Sequence, residues 1–540
     1  MPVRVRPGVP AYHRRMVRWS IVVSVWVLGL VAAAAAATAS WGWLVAAVPI
    51  LALAVVGTWD LLQRRHNILR NYPILGHARF LLEGIRPEIQ QYFIESPTDG
   101  TPFDRETRDL VYERAKGTLD EEPFGTERDV HAIGYEFMTH SLRTRTAPAE
   151  TPSVRLGGPN CGRPYDIALL NVSAMSFGSL SGNAIEALNA GAARGGFAHD
   201  TGEGSISRHH RKHGGDLIWE IASGYFGCRT PDGRFDPDQF AAKSADDQVK
   251  AISIKLSQGA KPGLGGVLPG TKVTAEISEA RGVPIGQTVI SPPAHTAFGT
   301  PYELVDFVAQ LRVLSGGKPV GFKLCVGSRV EFLAICKAML ERGITPDFVI
   351  VDGSEGGTGA GPVEFEDHMG MPLTEGLMTV HNALVGTGLR DRVKIGASGK
   401  VASGADVVKR IIQGADFTLA ARAMMFAIGC IQAQQCHTNR CPVGVATQDP
   451  RRARALDVPD KSERVYRFQK ATVASAKQMV ASMGLDGFDD LHPSMLHRRV
   501  DGVTTRTYAE LYDWLEPKEL LDHARGSWRR DWAAADAARF

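Results

Sequence analysis

The chain has 540 residues, of which 44% are apolar and 22% are charged, and this composition excludes a disordered, collagen-like or low-complexity protein. Lys and Arg number 61 against 58 Asp and Glu, for a net charge of +3, so no bulk electrostatic field points to nucleic acid as a partner. Seven cysteines, an odd number in a chain of this length, argue against a secreted disulfide framework. The composition indicates a globular enzyme of unspecified reaction.

Two uncharged runs near the amino end predict a membrane anchor in residues 1–65. Residues 19–38 and 41–59 are each long enough to cross a bilayer, which takes about 20 residues. Arginines precede the first run and follow the second, which places both flanks in the cytoplasm. We therefore predict a two-helix transmembrane hairpin in the cytoplasmic (inner) membrane, with the rest of the chain facing the cytoplasm. A cleaved signal peptide is the alternative for the first run, and the presence of the second run argues against it.

Residues 66–160 mix acidic and basic side chains with scattered prolines. This pattern predicts a lead-in of helices and loops, to which we assign no chemistry. Residues 451–540 have apolar residues at helical spacing over 463–483 and 508–515. They are predicted to form a helical C-terminal extension.

Between these segments, residues 161–450 alternate short apolar strands with amphipathic helices. The predicted strands are 168–172, 251–256, 320–324, 348–352, 393–397 and 417–420, with weaker ones at 196–199 and 288–290. This alternation favours a parallel sheet covered by helices, and eight strands predict an α/β fold of the (β/α)8 TIM-barrel type. A doubly wound open sheet is the alternative. In a barrel, functional side chains gather at the C-terminal ends of the strands.

Three closely spaced cysteines predict a soft-metal site. Cys430, Cys436 and Cys441, the last followed by proline, suit an iron–sulfur cluster above all. Three ligands rather than four favour a three-iron cluster. Zinc would want a fourth ligand, and His437 is awkwardly adjacent to Cys436. Three free core cysteines are the remaining alternative.

Two glycine-rich loops, 353–361 and 398–404, and Arg422 follow the last three predicted strands. Loops at this point of a barrel commonly hold a phosphate on backbone N–H groups. A tight turn without a ligand is the alternative for the second loop.

A cluster of two lysines and an amide lies at the end of the strand at 251–256. Lys255, Gln258 and Lys261, downstream of Thr201-Gly202-Glu203-Gly204, can hold a dicarboxylate or the pyrimidine edge of a flavin. A solvated basic loop is the alternative.

Several long motifs resemble a known family. They are YDIALLNVSAMSFGSLSGNAIEALNAGAARGG, HDTGEG, IKLSQGAKPGLGGVLPGTKV, ISPPAH, DGSEGGTGAGP and CIQAQQCHTNRCPVGVATQDP, and they are similar to the FMN- and iron–sulfur-containing synthase domain of glutamate synthases. The resemblance implies an oxidoreductase acting on CH–NH2 donors, with FMN and a 3Fe-4S cluster in its barrel. Such an enzyme makes L-glutamate from 2-oxoglutarate and ammonia through 2-iminoglutarate. Ammonia or an amine would come from a partner, and electrons from a ferredoxin, a reductase subunit or a membrane carrier.

The resemblance also implies roles for individual residues. The cluster ligands would be Cys430, Cys436 and Cys441. Residues implied to act in catalysis or to bind the substrate are Glu203, Gln258, Lys261, Arg281 and Ser176. Residues assigned to the cofactor are Ala174, Met175, Ser176, Thr201, Lys255, Lys323, Asp352, Gly357, Ser398, Gly399, Gly404 and Arg422.

The chain departs from the family pattern in ways that leave its substrate open. No cysteine precedes Cys161, so we do not expect it to hydrolyse glutamine. The family's Asp-Gly-Gly reads Ala397-Ser398-Gly399, and Tyr225 stands where large synthases often have arginine. Two alternatives therefore remain: a membrane-tethered FMN oxidoreductase of the same fold acting on a different substrate, and a scaffold that has lost its cofactors.

Overall fold

The computed structural model describes residues 11–540, with side chains from Trp19 onward. The chain divides into two units, Met1–Ser96 and Pro97–Phe540. The smaller unit is helical, and the larger one is built around a barrel.

The smaller unit is a helical hairpin followed by two shorter helices. Its helices are α1 Ala11–Thr38, α2 Leu44–Leu62, α3 Asn67–Asn71 and α4 Gly76–Ile89, and a π-helical turn, Gln90–Ile94, continues α4. α1 packs on α2, and Trp26 Nε1 donates to Thr58 Oγ1 at 2.9 Å. Trp19–Thr38 and Trp41–Leu62 are long and apolar enough to cross a membrane. Core helices and signal sequences share that property, so the membrane location remains a prediction.

The larger unit contains a closed barrel of parallel strands, each paired with its neighbours in chain order, and the last pairs with the first. The barrel strands are β1 Leu170–Val172, β2 His199–Asp200, β3 Leu217–Ile221, β4 Val249–Lys255, β5 Val320–Leu324, β6 Phe348–Asp352, β7 Lys394–Ser398 and β8 Phe417–Ala420. This confirms the predicted TIM-type barrel and excludes the open sheet.

Helices surround the barrel and continue beyond it. They are α5 Arg105–Lys116, α6 Gly182–Gly195, α7 Arg208–Arg211, α8 Pro237–Ser244, α9 Ala275–Arg281, α10 Pro301–Leu314, α11 Arg329–Arg342, α12 Val363–His368, α13 Leu373–Gly386, α14 Gly404–Ile412, α15 Arg422–Ala427, α16 Pro450–Ala453, α17 Val458–Ser482, α18 Tyr508–Leu511, α19 Glu519–Asp522 and α20 Gly526–Ala534. The long helix α17 lies close to α6, where a Cβ on Gly191 would meet Val465 Cβ at 2.6 Å. Glycine therefore allows the two helices to approach closely.

The two halves of the barrel interior differ in polarity. Near the N-terminal ends of the strands, apolar side chains from β3, β4, β6 and β8 fill the interior. An antiparallel hairpin, Ser153–Leu156 with Tyr165–Ala168, adds Leu156 and Ile167 to this apolar cluster. The charged side chains lie toward the other end. The interior is thus a packed core with a polar layer on top.

One barrel strand was assigned to the wrong segment by the sequence. Residues 288–290 were predicted to supply a strand, but Val289–Ile290 pairs antiparallel with Val267–Leu268, outside the barrel. The missing strand is β3, whose five residues are all buried. Glu220 interrupts the apolar run of this strand. Because an isolated acidic residue is seldom buried, the segment did not fit the pattern of a buried strand.

The C-terminal segment is mainly helical, as predicted, and also contributes to a small sheet. Glu136–Met138, Leu496–Arg499 and Thr505–Thr507 form an antiparallel three-stranded sheet. The helix expected at 508–515 is correspondingly short, ending at Leu511. The lead-in and the C-terminal segment therefore pair with each other beside the barrel.

A buried ion pair joins four elements near the N-terminal ends of the strands. Arg312 of α10 donates from Nε and Nη2 to Asp347 Oδ2 at 3.1 and 2.9 Å. The same carboxylate accepts from the backbone N–H groups of Val320 and Gly158, each at 2.8 Å. One carboxylate thus connects α10, the start of β5, the turn before β6 and the approach to the barrel.

We expect Arg312→Met to lower the free energy of unfolding by about 3 kcal/mol, because it leaves the Asp347 carboxylate buried without its cation. Thermal or urea unfolding of the full-length protein in detergent measures the loss. Arg155→Met is the matched control: Arg155 pairs with Asp166 where both side chains are exposed, and its loss should cost about 0–1 kcal/mol. Equal losses for the two variants would contradict the assignment.

Candidate active site

Side chains at the C-terminal ends of the strands meet in one pocket. Lys323 comes from β5, Asp352 ends β6 and Ser398 ends β7. The lining is completed by Phe103, Ser173, Ala174, Gln258, Gly356, Gly357, Gly399, Lys400, Val401, Ala421, Arg422 and Ala423. The structure thus brings together eight residues predicted as ligand contacts: Ala174, Gln258, Lys323, Asp352, Gly357, Ser398, Gly399 and Arg422.

The floor of this pocket is a buried ammonium surrounded by carboxyl groups. Lys323 Nζ lies 2.5 Å from Glu220 Oε2, and both side chains are buried. Burial acts to lower the pKa of Lys323, but Glu220, Asp200 and Asp352 outweigh it and raise that pKa. Lys323 therefore carries its positive charge at any physiological pH.

The carboxyl groups of this layer do not all ionise together. Burial, with the charge of Glu220 beside it, raises the pKa of Asp200, and burial raises the pKa of Asp352. Asp200 Oδ1 accepts from Gly202 N, while Asp200 Oδ2 has no hydrogen-bond partner among the described residues. The raised pKa values of Asp200 and Asp352 reduce the negative charge that these two carboxyl groups place around Lys323.

A second charged group surrounds Glu203 beside this pocket. Lys255 Nζ donates to Glu203 Oε2 at 3.2 Å and to Gln258 Oε1 at 2.9 Å. Burial alone would raise the pKa of Glu203, but Lys255 and Arg281 together lower it, so Glu203 is ionised. Gly266 passes so close that a Cβ there would lie 1.6 Å from Glu203 Oε1, so a larger residue at this point would displace the carboxylate.

Two more cations face the same carboxylate. Arg281 Nη2 donates to Ser176 Oγ at 3.2 Å and to Phe177 O at 3.0 Å. Burial lowers the pKa of Arg281 to about 10, so it stays charged at neutral pH. Lys261 Nζ donates to Ala360 O at 2.7 Å, and burial lowers its pKa as well. Three cations against one carboxylate leave a positive excess that suits an anionic ligand.

The far end of the pocket is also cationic. Arg422 Nη2 donates to Glu355 O at 2.6 Å, and its guanidinium lies over the Phe103 ring, 4.9 Å from the centroid. Burial, and then the charge of Arg422, lowers the pKa of Lys400. Gly399 and Lys400 both have positive φ, +153° and +50°, which turns this loop sharply. The chemistry of this end fits a phosphate.

The three cysteines of the predicted cluster lie near one another. Burial, followed by the charges of Cys436 and Cys441, raises the pKa of Cys430 to about 12. Among the side chains that the structure describes, from Trp19 onward, however, no group of three His, Cys, Asp or Glu is placed to hold a single metal ion. The thiols are thus neighbours but do not form a mononuclear site.

Residues around the cysteine loop were not foreseen from the sequence. Lys272 is buried, and its Nζ donates to Ser179 O at 3.1 Å and to Ala446 O at 3.2 Å. Burial lowers its pKa to about 8, against the opposing charges of Cys436 and Cys441. A buried cation therefore faces two of the thiols.

The lead-in makes two contacts with the cysteine loop that no sequence motif predicted. Tyr112 OH donates to Cys430 O at 2.7 Å, and Phe103 N donates to Gln432 Oε1 at 3.2 Å. Phe103 also lines the pocket. Asp200 and Glu220 were missed as well, although Asp200 stands at a strand end within HDTGEG and could have been found there.

Some predicted cofactor residues lie elsewhere or support others. Thr201 Oγ1 accepts from Glu220 N at 3.1 Å and Met175 is buried, but neither lines the pocket. Gly404 starts α14 against α17, where a Cβ would meet Ala476 N at 2.6 Å. The structure gives Gly404 a packing role between two helices.

Tyr225, which departs from the family pattern, holds the loop at 295–297 in place. Tyr225 is fully buried, and its OH accepts from the backbone N–H groups of Thr296 and Ala297 at 3.1 and 3.0 Å. His295 bridges from that hydroxyl to Lys255 O, with Nδ1 at 3.1 Å and Nε2 at 2.9 Å. Tyr225 therefore acts behind Lys255, through the loop that supports it.

Comparison with known proteins places this geometry in a family. The conserved region in glutamate synthase matches residues 164–486, which is more than half of the chain. The chain belongs to the glutamate synthase family. The match includes every residue of the pocket except Phe103, and all three clustered cysteines.

Relatives in the glutamate synthase family differ in how much of their length the chain covers. The glutamate synthase large subunit-like protein YerD of Bacillus subtilis is 36% identical over 499 residues, 84% of this chain and 94% of that protein. The archaeal-type glutamate synthase [NADPH] of Thermotoga neapolitana is 34% identical over 320 residues, 59% of this chain and 60% of that protein. The chain thus spans nearly all of YerD and about three-fifths of the archaeal-type enzyme.

We expect Asp200→Asn to change how stability depends on pH. Because the pKa of Asp200 is raised on folding, the folded protein keeps a proton that the unfolded chain releases above about pH 4. The contribution of Asp200 to stability is present at low pH and falls as pH rises toward its raised pKa. As pH rises, the melting temperature of the unchanged protein should therefore fall more steeply than that of the variant.

Thermal unfolding at a series of pH values checks this expectation. Asp166→Asn is the control, because Asp166 is exposed and its variant should keep the slope of the unchanged protein. Parallel curves for the unchanged protein and Asp200→Asn would show that Asp200 is ionised in the fold, contrary to its assignment.

Proposed function

We propose that this protein is an oxidoreductase of glutamate synthase type that depends on FMN and a 3Fe-4S cluster. It reduces 2-iminoglutarate, formed from 2-oxoglutarate and ammonia or an amine supplied by a partner, to L-glutamate. The observation that carries the proposal is the junction at Gln258. This residue lines the pocket of Lys323 and Arg422 and also bonds Lys255, which pairs with Glu203. The pocket of Lys323 and Arg422 and the charged cluster around Glu203 thus share Gln258 as a common wall.

The residues of the pocket fit FMN at both ends. Lys400 and Arg422 would hold its phosphate together with the turn at Gly399, and Lys323 would donate to the pyrimidine edge. A Cβ on Gly357 would lie 2.9 Å from Arg422 Cδ, so glycine at this position leaves room for the Arg422 side chain. When bound, FMN supplies a hydride equivalent to the substrate carbon.

The cluster around Glu203 would bind and orient the substrate. Lys261 and Arg281 supply one cation for each carboxylate of 2-oxoglutarate. Glu203, kept ionised by Lys255 and Arg281, can accept a proton on its carboxylate from the incoming amine nitrogen. The close approach of Gly266 covers one side of that carboxylate and limits its access to water.

The loop of Cys430, Cys436 and Cys441 would hold the 3Fe-4S cluster. Three thiols close enough for their charges to act on one another suit a cluster in which each thiolate binds a different iron. When bound, the cluster supplies single electrons. Lys272 would balance part of the negative charge of the thiolates. The electrons would come from a ferredoxin, a reductase subunit or a membrane carrier.

The hairpin of α1 and α2 would anchor the protein in the cytoplasmic membrane, with the catalytic unit facing the cytoplasm. Both helices are long and apolar enough to span a bilayer, and the residues flanking the pair are rich in arginine. Basic flanks on both outer ends support this orientation, because positive charge next to a membrane span favours the cytoplasmic side.

We expect the dithionite-reduced holoenzyme to be reoxidised by 2-oxoglutarate with ammonium and to release glutamate in equal amount. Lys261→Met should raise the KM for 2-oxoglutarate at least about tenfold, equivalent to about 1.4 kcal/mol, because a buried cation for one carboxylate is lost. Lys250→Met is the control, because Lys250 lies at the other end of β4 beside Asp216, and it should leave KM unchanged.

Flavin that binds but stays reduced under these conditions would contradict 2-oxoglutarate as the substrate. Reoxidation by another 2-oxo acid or by a quinone would then assign the same fold to a different reaction. A folded protein that binds neither FMN nor iron would identify a scaffold.

We expect Cys436→Ser to lose bound iron and the electron paramagnetic resonance signal of the oxidised cluster while keeping FMN. Cys161→Ser is the matched control, because Cys161 donates only to Gly317 O at 3.3 Å, a bond that a serine hydroxyl can replace. It should keep both iron and flavin. Full iron content in Cys436→Ser would contradict the assignment of the ligands.

A further inference from the structure

The helix after the hairpin has an exposed apolar face. In α4 and the π-helical turn after it, apolar residues recur at a spacing of three, four and seven, the pattern of one side of a helix; they are Ala78, Leu81, Leu82, Ile85, Ile89 and Tyr92. Leu81, Leu82 and Ile85 are 67%, 58% and 42% exposed. Along the other side lie Arg79, Glu83, Arg86 and Gln90. An apolar surface of this extent on one helix marks an interaction site.

A buried contact fixes where this helix starts. Asp60, in the last turn of α2, is fully buried. Its carboxylate accepts from Ile74 N at 2.9 Å and from His77 Nε2 at 2.9 Å, and His77 is the second residue of α4. A Cβ on Gly57 would lie 3.0 Å from Ile74 Cδ1, so the same segment packs closely on α2. The first turn of α4 is therefore held at the level of the last turns of α2.

The connection between the two helices is cationic. Arg64, Arg65 and Arg70 lie between α2 and α4, and no acidic residue occurs from Gln63 to Gly76. Basic residues immediately after a membrane span bind the anionic headgroups of the cytoplasmic leaflet. The position of α4 beside the last turns of α2, its apolar face and the basic residues before it thus all point to an anionic lipid bilayer as the binding partner.

We propose that residues 76–94 lie in the headgroup region of an anionic lipid bilayer, the one that α1 and α2 cross. Leu81, Leu82 and Ile85 then reach the boundary of the acyl chains, and Arg79 and Glu83 face water. This inference rests on the proposed membrane location of the hairpin. If α2 spans the bilayer, its last turn lies at the interface, and the Asp60 contact brings α4 to that depth. A helix with a large apolar face is stable in this position.

Photo-crosslinking of the full-length protein tests the proposal. The protein is reconstituted in nanodiscs of phosphatidylcholine with phosphatidylglycerol, and a photoactivatable benzoylphenylalanine replaces Leu82, Ile85, Glu83 or Leu53 in turn. Leu82 and Ile85 should form lipid adducts, detected by mass spectrometry, in several-fold higher yield than Glu83, which lies in the same turn on the polar side. Leu53, an exposed residue of α2, reports on the membrane span itself.

The outcomes separate this inference from the membrane location. Lipid adducts at Leu53 together with protein adducts at Leu82 and Ile85 would overturn the surface-helix proposal, in favour of docking on a second copy or on another part of the chain. An absence of lipid adducts at Leu53 would overturn the membrane location and the inference with it. Replacing phosphatidylglycerol by phosphatidylcholine should lower the yield at Leu82 and leave Leu53 unchanged; equal yields at Leu82 would overturn the preference for anionic lipid.

Discussion

The charged layer inside the barrel is the constraint on which the catalytic end depends. Removing a charge from water costs several kcal/mol unless it is paired and hydrogen-bonded. Lys323 meets that requirement through Glu220 at 2.5 Å and through the carboxyl groups of Asp200 and Asp352. These four groups come from β5, β3, β2 and β6. Their pairing therefore holds four strands in one register, and it sets the level at which the apolar core ends and the pocket begins.

Above that layer, the loops approach one another more closely than side chains would allow. A Cβ on Gly259 would lie 1.7 Å from Gly353 O, and one on Gly266 would lie 1.6 Å from Glu203 Oε1. The loops after β4 and β6 therefore meet through backbone at Gly259 and Gly353, and Lys261 joins them again by donating to Ala360 O. The glycine content of the sequence is in part a consequence of these contacts.

The sequence predicts the barrel well where strands are continuous and apolar, and less well where a strand carries a buried charge. The strands predicted at 320–324, 348–352 and 417–420 coincide with β5, β6 and β8. β3 was missed because Glu220 is stabilised by Lys323, a partner about a hundred residues away that no local pattern reveals. For the same reason Val289–Ile290, apolar and β-branched, was taken for a barrel strand although it pairs elsewhere.

Prediction of the site was also limited by contacts between residues far apart in the sequence. Lys323 lies near the end of a predicted strand, and Ser398 and Arg422 follow predicted strands; all three were found because the ends of parallel strands meet at one face. Lys272 and Phe103 lie outside the strand ends, and only the folded chain brings them to the cysteines and the pocket. Tyr225 shows the converse: a substitution at a family position looked like a change of substrate contact, yet its hydroxyl is occupied by the loop at 295–297.

The lead-in contacts both the pocket at the strand ends and the cysteine loop. Phe103 packs under Arg422 in the pocket, Gln432 binds the backbone of residues 101 and 103, and Tyr112 in α5 holds Cys430 O. One short stretch thus supports both the Arg422 end of the pocket and the start of the cysteine loop. Residues 101–112 therefore form a structural link between the Arg422 end of the pocket and the cysteine loop, although they lie more than 300 residues earlier in the chain.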